Sequence, residues 1–481
     1  MGVHSGEENG AHILKMQKTV TEFTIPFGAQ PGYRLEYENG YTFVFVPKKG
    51  GVFNISTWVK TGSIHETDTN NGISHFLEHL MFKGTDRFKV GEFDRAMESM
   101  GAIINAATWK DFTFYYVTGP KGEQNEQFAK ALDMHADMMT GSVLPDAEIG
   151  PQYDPFDPDY DGPKRERSVV IEEIGMREDQ PWTKVYNAIN DLMYPVGHPY
   201  QRDVIGTREI IGNIPRESIQ QYYQQWYNPS QFVTIVVGDF DLETLEPDVL
   251  KAFKVLEYPK TQRGDGASLD DVFPQPSQLI GKDAPREARV EGEVGTSFFM
   301  MGWHGPQPDD IKGNIALDIG AQVMAGARSS RMHQNLVEKP EKPKFTFVGA
   351  GQQQFRLGNV FFIQGNITEP DVDGALADVR SELVDYLSNN PITQDELTRT
   401  LKKMKAEFAE TSETASGIAD AIGESMTVAG SMEYYLNYLA VLETVTLDDV
   451  RSALLEYLCP EKMFTAMLLP QAVTEASPAG V

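Results

Sequence analysis

Apolar positions recur along this chain with two different periods. The runs YTFVFV (41–46), FNISTWV (53–59) and FTFYYVTG (112–119), and later SFFMMGW (297–303) and NVFFIQGN (359–366), are short and rich in β-branched and aromatic residues. Such runs predict buried or half-buried strands. Longer stretches between them place apolar residues three or four apart and predict amphipathic helices. Strands and helices follow one another without regular βαβ alternation. The expectation is therefore an α+β fold with largely antiparallel sheets and helices packed on them.

One pattern occurs twice. Residues 214–238, IPRESIQQYYQQWYNPSQFVTIVVG, and residues 445–469, VTLDDVRSALLEYLCPEKMFTAMLL, superimpose when Pro229 is set on Pro460. Glu217 then falls on Asp448, Ile219 on Val450, Tyr223 on Leu454 and Thr234 on Thr465. Each copy reads as a capped helix, a Pro-marked turn and a buried strand. Their placement near the ends of two segments of similar length points to an internal duplication. Between the segments, residues 257–290 lose helical periodicity and collect Pro, Gly and Asp, as a linker does. The chain thus divides into 1–256, a linker at 257–290, and 291–481.

Composition narrows the function. At 481 residues, 41% hydrophobic and 23% charged, the chain is too apolar for a disordered polymer and long enough for more than one core. No apolar run approaches the roughly 18–20 residues that span a bilayer. Asp and Glu outnumber Lys and Arg 70 to 42, a formal charge of −28, and there is no basic patch for a phosphate backbone. The single cysteine, Cys459, excludes an intramolecular disulfide and is expected to be a small core residue. The start, MGVHSGEENGAHILK, lacks the apolar segment of a signal peptide and reads as a polar tail.

The chemistry concentrates in His75-Phe76-Leu77-Glu78-His79. On a helix His75 and His79 lie one turn apart with Glu78 on the same face. The other faces carry Ile73, Phe76, Leu77, Leu80, Met81 and Phe82, so three polar side chains share one stripe of an apolar helix. Burying them unpartnered would cost several kcal/mol, on the order of 2–7 for each group. A metal ion removes that cost, with two imidazoles as zinc ligands and the carboxylate addressing water. A third ligand is needed. Candidates are Glu166 and Glu173 in ERSVVIEEIGMR, two turns apart on one helix face, with Glu172 pointing elsewhere; spacing does not choose between them.

These motifs, with the flanks NGISHFLEHLMFKGT, NAATWKDFTFYY, HPYQRDVIGT and YNPSQFVTIVVGDF, resemble the pitrilysin/insulinase family of zinc metallopeptidases, close to its mitochondrial-processing-peptidase branch. The resemblance covers nearly the whole chain. It implies two similar α+β domains, His75, His79 and Glu173 as ligands of one Zn²⁺, Glu78 as general base, and Glu166 as a supporting acid. It also implies that an extended peptide adds to a sheet edge at Asn105, Ala106, Ala107 and Thr108. In the second half, setting Ile73 on Ile315 puts Leu317, Gly320 and Ala321 where His75, Glu78 and His79 stand, so that half keeps the fold without the ligands.

One departure from the family pattern matters. Active members hold substrate with an Arg and a Tyr in a stretch that here reads NLVEKPEKPKFTFVG. Val337 falls at the Arg position and Lys344, or Phe345, at the Tyr position. The resemblance therefore implies a zinc-bearing endopeptidase subunit whose related partner supplies the Arg/Tyr pair. The competing expectation is a non-catalytic scaffold subunit of the same fold. A second metal idea rests on Asp157, Asp159 and Asp161, which match the opening of a calcium loop; Ser168 stands at the twelfth position, where a bidentate Glu is required. The acidic, Pro-rich stretch 150–163 is otherwise expected to be an insertion-like loop.

Overall fold

The expected strands assemble into two sheets in the computed structural model, which describes residues 16–163, 165–258 and 286–471. The amino-terminal tail and most of the proposed linker lie outside the described residues. The first sheet contains β1 (Lys18–Phe23), β2 (Gly32–Tyr37), β3 (Thr42–Pro47), β4 (Val52–Val59), β5 (Ile103–Thr108), β6 (Thr113–Pro120) and β7 (Phe232–Gly238). The second contains β8 (Glu287–Gly292), β9 (Ser297–His304), β10 (Phe345–Gln353), β11 (Val360–Ile367) and β12 (Phe464–Pro470). β8 begins within the stretch expected to be linker.

The two sheets share a topology. The first runs β1-β2-β3-β7-β4-β6-β5 and the second β10-β11-β9-β12-β8. Reversing the second sets β8 on β3, β12 on β7, β9 on β4, β11 on β6 and β10 on β5. Both are mixed in the same place: β3 pairs parallel with β7 and β8 parallel with β12, while every other pairing is antiparallel. The sequence repeat sits where it was read. Helix Arg216–Trp226, a turn at Pro229–Gln231 and β7 match helix Leu447–Tyr457, a turn at Pro460–Lys462 and β12. β5 and β10 are matching edge strands.

The helices that matter here are α1 (Ile73–Met81), α2 (Glu166–Glu178), α3 (Pro181–Met193), α4 (Ile311–Ala325), α5 (Gln394–Glu413), α6 (Ala415–Val428), α7 (Glu433–Thr444) and α8 (Leu447–Tyr457). α1 and α2 pack on one face of the first sheet, in a core with Phe43, Phe45, Tyr115 and Val236. α4 and α8 do the same on the second, with Phe299, Trp303 and Phe361. Each half also lends a helix to the other. α6 packs against β4 and β7, where Ile418, Ala419 and Ile422 meet Val44, Trp58 and Ile235. α3 packs against β8, β9 and β12, where Val185, Ile189 and Met193 meet Met300, Phe362 and Leu468. The close fit of α6 requires Gly423, since a Cβ there would lie 2.0 Å from the Trp58 ring. No helix among the described residues is long and apolar enough to cross a membrane.

One expectation is corrected. Cys459 is half-buried rather than in the core, because it caps the Pro460 turn, and its thiol donates to Glu461 at 2.6 Å. Around Asp157, Asp159 and Asp161 the stretch folds on itself, with the Asp157 carboxylate accepting the N–H of Asp159 at 2.9 Å and Tyr160 stacking on Tyr153.

Candidate metal centre

α1 is anchored before its chemistry begins. Gly72 precedes it at φ 92°, and a Cβ there would meet the Ile205 carbonyl oxygen at 2.5 Å. That backbone region and that space both require glycine. The helix start would otherwise leave N–H groups unpaired in the core. Glu66, 4% exposed, satisfies them: its carboxylate accepts from Gly72 N at 2.7 Å, Ser74 N at 2.8 Å and Asn71 Nδ2 at 2.8 Å. Ile73, Phe76, Leu77, Leu80 and Met81 are all buried, which turns the polar stripe of α1 toward α2.

α2 is held against it by Arg167. This buried guanidinium donates to the carbonyls of Ile214 (2.8 Å) and Ile211 and lies over the Phe76 ring at 5.3 Å. On α2, Glu172 is exposed, while Glu166 and Glu173 turn inward.

Among the described residues, His75, His79 and Glu173 form the one group able to hold a metal ion, with donor atoms within 4.8 Å of one another. Glu173 Oε2 lies 3.7 Å from His75 Nε2 and 3.6 Å from His79 Nε2. Tetrahedral ligands at about 2.0–2.1 Å from zinc stand roughly 3.3–3.4 Å apart, so small side-chain shifts would bring these donors to an ion. The donor set, two imidazoles and a carboxylate with a fourth side open, is also that of catalytic zinc sites. The residues fit the ion.

Their surroundings orient them. Glu166 Oε2 lies 3.2 Å from His79 Nδ1, leaving Nε2 for the ion, and Lys83 pairs with Glu166 at 2.6 Å. Carboxylates on the far nitrogen of a ligand histidine fix its ring and its tautomer. Burial alone would raise the Glu166 carboxyl, but the His79 and Lys83 contacts hold it below its usual range. Burial would lower His79, yet Glu166 and Glu173 raise it to about 9 in the ion-free protein. His75 is instead lowered to about 4 by burial and by its neighbour His79. Its Nδ1 is buried without a partner.

Glu78 stands beside this group but outside it. Its Oε2 accepts the hydroxyl of Thr108 at 2.5 Å, so the last residue of β5 is tied to the helix that carries the histidines. Burial raises the Glu78 carboxyl, which makes its carboxylate a better proton acceptor near neutral pH. Asn105 and Ala107 are exposed, Ala106 half-buried and Thr108 buried on that free edge.

Two family models match the chain. One, described as Insulinase (Peptidase family M16), matches residues 48–188, and the other, described as Peptidase M16 inactive domain, matches residues 213–404. The chain belongs to the insulinase family of peptidases. Zinc protease PqqE of Helicobacter pylori is 28% identical over 90% of this chain and 91% of that protein. Mitochondrial-processing peptidase subunit beta of Lentinula edodes is 24% identical over 84% of this chain and 82% of that protein. A protease of solved structure from Helicobacter pylori superposes with a TM-score of 0.78 at 25% identity, covering 94% of this chain and all of that one. The peptidase M16 inactive domain from Pseudomonas fluorescens shares the fold, with a TM-score of 0.77 at 16% identity over 94% of this chain and 98% of that one.

The positions expected to have lost the family's chemistry are filled by packing. Leu317 and Ala321 are buried, and a Cβ on Gly320 would lie 2.6 Å from Leu454 of α8. Val337 is partly buried against the second core, Lys344 pairs with Asp378 at 2.7 Å, and Phe345 is buried at the start of β10. Sequence reasoning missed Glu66 and Arg167. Only their burial shows their roles, and a lone Glu or Arg in a polar stretch carries no signal of it.

Proposed function

We propose that this chain is a zinc-dependent endopeptidase that cleaves extended peptides laid along β5. The single observation that carries the reading is the Thr108–Glu78 hydrogen bond beside the His75–His79–Glu173 group, because it joins a free sheet edge to a base and a metal site. Backbone pairing to an edge strand accepts any extended peptide and places its carbonyls in register with that edge. Zinc bound at the three ligands would supply a Lewis acid for the carbonyl and bring the pKa of water down toward about 7. Glu78 takes the proton of the attacking water and hands it to the leaving amine. Thr108 keeps the Glu78 carboxylate pointed at the edge. Glu166 holds the His79 ring.

The chain acts in this reading as the zinc-bearing member of a pair. Val337 offers no hydrogen bond, and the Lys344 ammonium is engaged by Asp378. A related chain closing over the metal face would bring the missing Arg and Tyr. Similarity to a subunit named mitochondrial-processing peptidase beta supports this. The same missing pair favours a second reading, a scaffold subunit without activity. Metal analysis together with a fluorogenic-peptide assay, run on the chain alone and on the complex purified from its source, separates the two. About one zinc per chain with hydrolysis that appears in the complex is expected. Stoichiometric zinc without hydrolysis in either sample would select the scaffold.

A further inference from the structure

The turn that joins β5 to β6 is fixed to the other half of the molecule by a buried carboxylate. Trp109 N–H closes the turn on the Phe112 carbonyl at 2.8 Å, and the N–H groups of Ser63 and Ile64 donate to the carbonyls of Trp109 (3.3 Å) and Lys110 (2.8 Å). Asp111, 2% exposed, stands in this turn three residues after Thr108. Its Oδ1 accepts the Tyr200 hydroxyl at 2.6 Å, and its Oδ2 accepts the Arg356 N–H at 3.0 Å. The Tyr200 oxygen in turn accepts the Leu357 N–H at 3.1 Å. Arg356 and Leu357 lie in the connection between β10 and β11. One carboxylate and one phenol thus hold a turn of the first sheet against a loop of the second.

That loop is itself held in place. Asn359, fully buried, accepts the Phe355 N–H at 3.0 Å and donates through Nδ2 to Asn314 Oδ1 of α4 at 2.6 Å. A hydrogen-bonded series therefore runs from α4 through Asn314, Asn359 and the loop to Asp111, and along the turn to Thr108, whose hydroxyl donates to Glu78. Beside it, the buried Lys110 ammonium donates to the carbonyls of Tyr200 and Arg202. Burial pushes the Asp111 carboxyl up to about 6, so at neutral pH its ionised form is kept at a cost to stability. An apolar side chain of similar volume would pack there at less cost. What a carboxylate between two donors adds is a fixed distance and angle.

We propose that Asp111 is a positioning residue: it holds the β5–β6 turn on the second half and so sets where Thr108, and through it Glu78, stands beside the metal group. The proposal rests on the peptidase reading for the role of Glu78, and on the buried contacts alone for the hold on the edge. It gives the half without ligands a part in the reaction, as the frame against which the peptide edge is set. The packing of α3 and α6 joins the halves over wide apolar faces, but apolar contact is non-directional. The Asp111 bonds have direction.

Amide hydrogen exchange on the zinc-loaded chain, read by mass spectrometry, tests the hold without turnover. Asp111→Asn leaves an acceptor at only one of the two oxygen positions, and Tyr200→Phe removes the phenol, so the two variants cut the connection at different points. Where the first does not fold, the second decides. In each, the β5 amides paired with β6 should exchange about tenfold faster or more, with β3, β4 and β7 unchanged. Zinc per chain should stay the same. Peptide hydrolysis, measured with the related partner chain present, should fall about 10–100-fold in kcat/KM. In a Thr108→Val background Asp111→Asn should change it by about twofold or less, because the path through Thr108 is already cut. Unchanged β5 exchange in both variants would overturn the proposal. So would exchange that rises over the whole first half, or an equal loss of rate with and without Thr108. Faster exchange confined to β5, with no hydrolysis by the unaltered chain and its partner, would retain the hold on the edge and refute the peptidase reading.

Discussion

α1 and α4 occupy matching places beside matching sheets, yet one carries a group able to hold a metal ion and the other only packs. On α1, His75, Glu78 and His79 face a gap that α2 lines with carboxylates. On α4 the same stripe is Leu317, Gly320 and Ala321, and α8 fills the gap so closely that even a methyl at Gly320 has no room. The half whose stripe faces carboxylates keeps polar residues there, and the half whose stripe packs on Leu454 has small and apolar ones. Where the neighbour closes in, the polar stripe must become small and apolar, because buried unpaired polar groups cost several kcal/mol, on the order of 2–7 each. The edges differ likewise: β5 ends on Thr108, which donates to Glu78, whereas β10 ends on Gln353, which accepts from Tyr186.

The sharpest challenge to this contrast is removal of the base. Glu78→Gln should keep its zinc and lose about 10²–10⁴ in peptide hydrolysis, while His75→Ala should lose the metal itself. Equal metal loss in both variants, by elemental analysis, would mean that Glu78 is a ligand. The partner effect comes next. Titrating a related chain bearing the Arg/Tyr pair should raise kcat by about 10²–10³, the usual worth of an oxyanion donor. Full turnover by this chain alone would show that one of its own groups already does that work.

Smaller effects separate the acids of α2. Glu173→Gln should abolish stoichiometric zinc and the exposed Glu172→Gln should not, read by metal content after gel filtration. Glu166→Gln removes the group that orients His79 and should weaken zinc binding by about 10–100-fold in a competition titration with a chromophoric chelator. Unchanged affinity would reduce Glu166 to the partner of Lys83. Across the duplication, Leu317→Ala should cost about 2–5 kcal/mol of stability in urea unfolding and leave zinc content untouched. Loss of zinc in that variant would mean that the two halves are energetically one site.

Much of this was legible in the residues. The five strand runs became β3, β4, β6, β9 and β11, and the repeat set on Pro229 and Pro460 recurs as helix, turn and strand in both halves. Local periodicity and turn residues act over a few neighbours, so they survive reading in one dimension. The helical spacing of His75, Glu78 and His79 is legible for the same reason. It left Glu166 and Glu173 open, and the family resemblance chose between them.

Tertiary structure decided what depends on distant segments meeting. The exchange of α3 and α6 between the halves follows from apolar faces finding the nearest uncovered sheet surface, and no local pattern encodes which sheet that is. Glu66 and Arg167 look like ordinary surface charges until packing buries them against a helix start and a set of carbonyls. Cys459, expected in the core, is half-buried at the start of the Pro460 turn. Thr108 reads as the end of a strand, and only the approach of α1 brings its hydroxyl to Glu78. The sequence by itself determined the elements, the duplication and the polar stripe that suits a metal. The three-dimensional fold decided which carboxylates face that stripe and which helix covers which sheet, because each of these depends on contacts between residues far apart in the chain.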